Sequence, residues 1–236
     1  MTQLPEILSA LIFDFDGTLA AGHYDFQAMR QRVHALAATY GVSPEALDGL
    51  YVLEAVDRGA ELIGADTADA RRFQAEAGRI ILEIELEGAC ASRLLPGVTG
   101  ALAALRDHGY RLAIVTRNSR QVIATIPGAA SLACDAFLGR EAVRRVKPHP
   151  DHLAAALAAL GCEARQAAMV GDHPMDIATG LAAGAATVGV LTGAGTRETL
   201  TAAGAELIVD SVTELARLLI AERAVRRPRG GAPPAR

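Results

Sequence analysis

The chain runs to 236 residues, 51% of them hydrophobic, enough to bury one large α/β domain or a core with a smaller insert, and that richness excludes disorder for most of its length. A formal net charge of -4 argues against a nucleic-acid binder, whose footprint would be basic, and points to small soluble partners. Cys90, Cys134 and Cys162 are odd in number and far apart, with no C-x-x-C pair, so neither a disulfide framework nor a structural zinc site is expected. With no leader pattern and no apolar run long enough for a bilayer, the expectation is a cytoplasmic protein with no membrane partner.

The first predicted element is a strand over residues 10–13, Ala-Leu-Ile-Phe, apolar throughout as a strand buried on both faces would be. It ends in Asp14-Phe15-Asp16-Gly17-Thr18-Leu19, so two carboxylates emerge where the strand stops and Gly17 lets the chain turn. In open α/β sheets, ligands collect beyond the carboxyl ends of strands. Two anions a residue apart at such a place repel each other unless a cation compensates them, and hard oxygen ligands favour Mg²⁺. A lone D-x-D reads equally well as a polar turn; the full hexapeptide is far more specific.

After a short polar connection, Phe26, Met29, Val33, Leu36 and Ala37 recur at three- and four-residue intervals and predict a helix that Gly41 ends. Ser43-Pro44-Glu45 reads as an N-cap with proline at the first helical position, opening a second helix through Leu47, Leu50, Tyr51 and Glu54. A third covers about residues 68–89. No strand pattern interrupts residues 25–92, so this stretch reads as a small helical bundle inserted after the first strand. Leu95-Pro96-Gly97 marks the return, and from there helices at 98–108, 150–160, 175–183 and 213–223 alternate with strands at 111–116, 136–138, 168–171, 186–190 and 207–209. Such alternation predicts a doubly wound, Rossmann-like parallel sheet covered on both faces. Residues 226–236, with three prolines and two adjacent glycines, read as a disordered basic tail.

Three further stretches carry polar chemistry. Thr116-Arg117-Asn118-Ser119 closes the second core strand; its threonine is either a helix cap or a donor to a phosphoryl group, and a helix opening there would aim amides at an anion. Lys147-Pro148 precedes His149 and His152, whose i, i+3 spacing permits a metal but which read better as surface polar residues at a helix start. Gly171-Asp172-His173-Pro174-Met175-Asp176 follows an apolar run and turns two acids the same way if the second opens a helix, where the helix dipole would favour Asp176 in any case. Gly193-Ala194-Gly195 lacks the rest of a dinucleotide fingerprint.

In their order along the chain, residues 14–19, 116–119, 147–148 and 171–176 resemble the four motifs of the haloacid dehalogenase-like phosphohydrolases, the first being that family's D-x-D-G-T-L. The resemblance spans nearly the whole chain apart from the tail and is closest to the phosphoglycolate phosphatase-like branch. It implies an α/β core over residues 1–21 and 93–225 and a helical cap domain over 22–92. It also implies Mg²⁺-dependent hydrolysis of a small phosphorylated metabolite, with Asp14 as the nucleophile that becomes an aspartyl-phosphate and Asp16 as general acid and then base. Thr116 and Lys147 complete the catalytic set. Gly17, Thr116, Arg117, Asn118 and Lys147 would surround the phosphate, and Asp14, Asp16, Asp172 and Asp176 would form the metal set, Asp176 either through water or as an orienter of Lys147. His173 departs from the small or polar residue often found in the fourth motif.

A dehalogenase would need neither the second acid nor magnesium, and Asp16 with Asp172 argues against one. A phosphonate-cleaving relative would take a Schiff-base lysine from the cap, and residues 22–92 contain no lysine. A phosphosugar mutase and a catalytically silent phosphate-sensing module are the competing readings. Specificity is expected from the cap and residues 20–25, with Arg30, Arg58, Arg71 and Arg72 as candidates for a second anionic group. The chain holds 22 arginines and a single lysine, Lys147; composition alone leaves that to chance, but the resemblance puts it between Asp14, a phosphoryl group and Asp176, where a forked guanidinium would be harder to fit than a compact ammonium.

Overall fold

Strands that are apolar on both faces, alternating with alanine-rich helices, leave a parallel sheet covered on both sides as the stable arrangement. The protein is described here by a computed structural model over residues 4–5 and 8–226. Its strands are β1 (Ala10–Phe13), β2 (Ala20–Ala21), β3 (Arg93–Leu94), β4 (Arg111–Val115), β5 (Ala136–Leu138), β6 (Ala167–Gly171), β7 (Ala186–Val190) and β8 (Leu207–Val209). Six of them form one sheet in the order β5-β4-β1-β6-β7-β8, every neighbouring pair parallel, while β2 and β3 make a separate antiparallel pair. Without that pair the order is 3-2-1-4-5-6, the doubly wound Rossmann-like arrangement. All four residues of β1 are fully buried, as their apolar run requires.

The helices are α1 (Phe26–Thr39), α2 (Val52–Gly64), α3 (Ala68–Ala91), α4 (Val98–Asp107), α5 (Arg120–Thr125), α6 (Asp151–Leu160), α7 (Pro174–Ala183), α8 (Arg197–Ala202) and α9 (Val212–Arg226). The chain divides into two compact units. Met1–Ala21, Arg93–Arg120 and Pro127–Arg236 hold the sheet; Gly22–Ser92 holds α1, α2 and α3 and takes in Gln121–Ile126, which the sequence had not separated from the sheet. The helical unit has its own core, in which Met29, Val33, Ala37, Leu47, Phe73, Ala77 and Ile81 pack together. Asp25 caps α1 by accepting from the Ala28 amide at 2.8 Å, and Thr67 caps α3 from Ala70 at 3.1 Å.

Four details differ from expectation. The second helix of the insert does not run from Ser43: Pro44–Leu47 is one 3-10 turn, Asp48 leaves it in an extended conformation, and α2 starts only at Val52. The short α8 was not foreseen, because its six residues, Arg-Glu-Thr-Leu-Thr-Ala, carry one buried side chain, Leu200, and so no periodicity. Most of the tail expected over 226–236 lies outside the described residues, and Arg226 closes α9. No described helix is long and apolar enough to cross a membrane.

The fourth difference is His152, which is fully buried on α6 instead of lying on the surface. Its Nε2–H donates to the Leu138 carbonyl, 3.1 Å away at the end of β5. Burial, reinforced by the nearby charges of Lys147 and Arg117, pushes its pKa down to about 4 against the backbone bonds that favour the cation. The folded protein therefore keeps His152 neutral, whereas the unfolded chain takes up a proton as pH falls below about 6.5. The stability this supplies is complete above about 6.5 and is lost as pH falls to about 4. Urea unfolding of the unaltered protein, minus that of His152→Leu, should decline by at most about 1.4 kcal/mol per pH unit across that window. A difference flat with pH would show that the buried ring is not held neutral.

Candidate active site

In a doubly wound sheet the crevice opens where strand order reverses, here beside β1, between it and β6. β1 pairs with β6 so that Phe13 stands opposite Val170, and the Asp14 amide donates to the Val170 carbonyl at 2.8 Å. Asp14 and Asp172 consequently leave the tips of neighbouring strands side by side. β4 on the other flank of β1 ends at Val115, immediately before Thr116, the segment after β5 supplies Lys147, and the first turn of α7 supplies Asp176. Chain topology thus brings together residues separated by up to 162 positions in sequence, Asp14 and Asp176 being the extremes.

The centre of the site is an ammonium between two carboxylates. Lys147 Nζ lies 2.5 Å from Asp14 Oδ1 and 2.7 Å from Asp176 Oδ1, and the lysine side chain is only 2% exposed. Asp176 is fixed from behind: Pro174 opens α7 at its first position, and Asp176 Oδ2 accepts the His173 amide at 3.1 Å while His173 Nδ1 accepts that of Met175. His173, the departure from the fourth motif's usual residue, is therefore the helix cap that aims Asp176. Asp172 accepts from the Thr18 hydroxyl through Oδ1 (3.1 Å) and from the Ala194 amide through Oδ2 (2.8 Å). The Thr116 hydroxyl donates to Asp16 Oδ2 at 3.4 Å and accepts the Asn118 amide at 3.0 Å.

Burial pushes the Asp14 carboxyl well above its ordinary pKa; Lys147 opposes this, and Asp176, Asp172 and Asp16 add to it. Burial raises Asp172 too, with Asp176 adding to it, against the Ala194 and Thr18 bonds and Lys147. For Lys147, burial favours the neutral amine, but Asp14 and Asp176 outweigh it and hold the ammonium above its usual value. The cluster thus contains more negative charge than one ammonium balances. Oxygen atoms of Asp14, Asp172 and Asp176 lie within 4.8 Å of one another, a spacing and donor chemistry that fit a hard divalent cation.

The haloacid dehalogenase-like hydrolase family matches residues 8–184. The chain belongs to that family. A phosphoglycolate phosphatase of Rhodospirillum rubrum is 31% identical over 219 residues, covering 87% of this chain and 88% of the relative, which places the chain in the phosphoglycolate phosphatase-like branch, among phosphoric monoester hydrolases. Among solved structures, a HAD family hydrolase of Deinococcus radiodurans R1 with bound phosphate and sodium superposes with a TM-score of 0.61 at 24% identity, over 94% of this chain and 98% of the other. A β-phosphoglucomutase of Clostridium difficile does so at 0.61 and 21% identity, over 92% and 96%. At such identities these two speak for the fold alone.

The haloacid dehalogenase-like fold gathers Asp14, Asp16, Thr116, Lys147, Asp172 and Asp176, whereas three residues expected at the phosphate have bonds elsewhere. The Gly17 amide donates to the Ala20 carbonyl at 2.7 Å, that of Asn118 to Thr116, and Arg117 Nη1 to the backbone carbonyl of Lys147. Nor is α5 an anion site: it has six residues, and the Arg120 amide at its start already donates to Glu141 Oε1. Arg58, Arg71 and Arg72, considered for a second anionic group, bond Glu61, the Asp66 carbonyl and Asp69 within their own unit. Sequence reading held Thr18 within the first motif but gave it no role, and it missed Ala194, since a loop alanine carries no chemical signal of its own.

Lys147→Arg preserves charge but must fit a longer, planar fork into a fully buried slot between two acids. It should lower phosphate release by several orders of magnitude, while Arg106→Lys and Arg217→Lys, at exposed ion pairs, leave it within about twofold. Steady-state assays of the three variants decide this, and a Lys147→Arg protein working near the original rate would contradict it.

Proposed function

We propose that the protein is a Mg²⁺-dependent phosphatase that hydrolyses a small phosphomonoester through an aspartyl-phosphate on Asp14, with phosphoglycolate the first substrate to try. The observation that carries this reading is the pairing of a buried carboxylate, Asp14, held by a lysine, with a second carboxylate two residues on, Asp16, held by a threonine hydroxyl. One acid is fixed as a nucleophile and the other is poised to move protons, which is what double displacement at phosphorus requires. The kinship with phosphoglycolate phosphatases supports the substrate class.

In the first half-reaction a carboxylate oxygen of Asp14 forms a bond to phosphorus as the ester O–P bond breaks, and Asp16 transfers its proton to the departing alkoxide. In the second, Asp16 takes a proton from water as that water attacks the phosphorus, releasing inorganic phosphate and restoring Asp14. Lys147 neutralises Asp14 beside the dianionic substrate and donates to a phosphoryl oxygen, and the Thr116 hydroxyl, turned from Asp16 when substrate arrives, donates to another. Mg²⁺, held by Asp14, Asp16 and Asp172 with Asp176 beside them, would supply the remaining positive charge for the phosphoryl oxygens. The helical unit serves in this reading as the cap domain that selects substrate.

Phosphate release from phosphoglycolate and a panel of phosphorylated metabolites, with and without Mg²⁺, tests the proposal. Asp14→Asn should keep the fold and lose turnover. Asp16→Ala should slow the first half-reaction, read as the burst of leaving group, by ~10² to 10⁴ on an alkyl phosphate and far less on an aryl ester whose leaving group departs without a proton. Equal losses on both esters would remove Asp16 from the proton transfer, and unchanged release by Asp14→Asn would end the covalent mechanism.

A further inference from the structure

Gly193-Ala194-Gly195, glycine-rich yet without a nucleotide site to serve, lies against Asp172. A Cβ on Gly193 would overlap the Asp172 carboxylate, and one on Gly17, whose φ of +86° already favours glycine, would come within 2.5 Å of Asp172 Oδ2. The carboxylate therefore stands in a slot bounded by two residues that have no side chains. Four donors close the slot. Ala194 N–H reaches Asp172 Oδ2 at 2.8 Å, the Thr18 hydroxyl reaches Oδ1 at 3.1 Å, Gly195 N–H reaches the Asp172 carbonyl at 2.9 Å, and the Thr192 hydroxyl reaches the Gly17 carbonyl at 2.6 Å. Together these bonds join the turn after β1, the tip of β6 and the segment after β7 around one acid.

We propose that the Gly193-Ala194-Gly195 segment, with Thr18, is a positioning device that holds the Asp172 carboxylate in a fixed orientation for a divalent cation. This rests on the metal-dependent reading above. Each carboxylate oxygen has two lone pairs and here spends one on the protein, so one per oxygen is left for a cation while rotation of the group is stopped. A free surface aspartate would have to be ordered on binding; this one is ordered beforehand. The absence of side chains at 17 and 193 is then a steric requirement of the site and not a mark of loop flexibility.

Mn²⁺ binding to the purified full chain, followed by electron paramagnetic resonance without substrate, measures the effect apart from catalysis. Gly193→Ala and Thr18→Val should weaken Mn²⁺ roughly 10- to 100-fold, the range for groups that orient metal ligands. Gly100→Ala, on α4 where a Cβ meets nothing within 4 Å, should bind as the unaltered protein does. Thermal melts without metal cover the case of a poorly folded variant. If the clash is with the Asp172 side chain, whose Cβ also comes within 2.9 Å of a Cβ at 193, Asp172→Gly combined with Gly193→Ala should melt no lower than Asp172→Gly alone. Undiminished Mn²⁺ affinity in both Gly193→Ala and Thr18→Val, or an equal loss of melting temperature with and without the Asp172 side chain, overturns the positioning role and leaves the phosphatase reading standing. An unaltered protein that binds no Mn²⁺ overturns both.

Discussion

A lysine ammonium sealed between two aspartates is the constraint around which this fold is built. Lys147 is as buried as the apolar core, and removing one partner of such a cluster costs on the order of 3–5 kcal/mol because the remaining charge is stranded away from water. Both carboxylates must therefore arrive at the ammonium together. Asp14 does so because β1 is central in the sheet and ends there; Asp176 does so because α7 begins with Pro174 under a His173 cap. Arg117 holds the lysine's own backbone carbonyl, tying the segment that carries it to the tip of β4. A shift in any of these elements would separate charges that cannot be rehydrated without opening the core.

The same arrangement leaves the site short of positive charge, and that shortage is its function. Asp14, Asp16, Asp172 and Asp176 face one ammonium, and burial and mutual repulsion raise the first and third of these acids. In the proposed reading, a dication and a phosphoryl group would relieve the imbalance on both sides: the cation would offset the acids, and the lysine and cation together would accept the phosphate's charge. A site that is uncomfortable when empty and balanced when full is preorganised for its ligand. The walls around Asp172, two residues without side chains and two short donors, extend that preorganisation from charge to geometry.

Much of this was legible in the sequence, and the division between what was and what was not is physical. Asp14, Asp16 and Asp172 announce themselves because acids at strand ends come with apolar runs before them and turn residues after, while Lys147 and Asp176 are legible through their place in the order of the four resembled motifs. The six sheet strands are visible through the same apolar runs. Residues that act on other residues carry no such pattern. Thr18 stands in the first motif with no role until Asp172 is beside it, Ala194 is ordinary until then, and the bond from Arg117 to the Lys147 carbonyl shows only in the fold. His152 follows a proline and an acid at a helix start, which reads as surface, but its place in the α6 repeat turns it under β5, where Leu138 supplies the acceptor that a buried ring needs. The break before α2 escaped because proline at a first turn signals where a helix starts and says nothing of how soon it stops.

The central claim is that Asp14, and no other acid of the cluster, carries the phosphoryl group between the two half-reactions. Rapid acid quench of the Asp16→Ala protein turning over phosphoglycolate or another accepted ester, followed by peptide mass spectrometry, reads this directly. The account predicts the added mass of one phosphoryl group on the peptide containing Asp14, absent when Asp14→Asn is introduced as well. A phosphoryl group on Asp172 or Asp176 would contradict it, as would a protein that releases phosphate rapidly without ever carrying one.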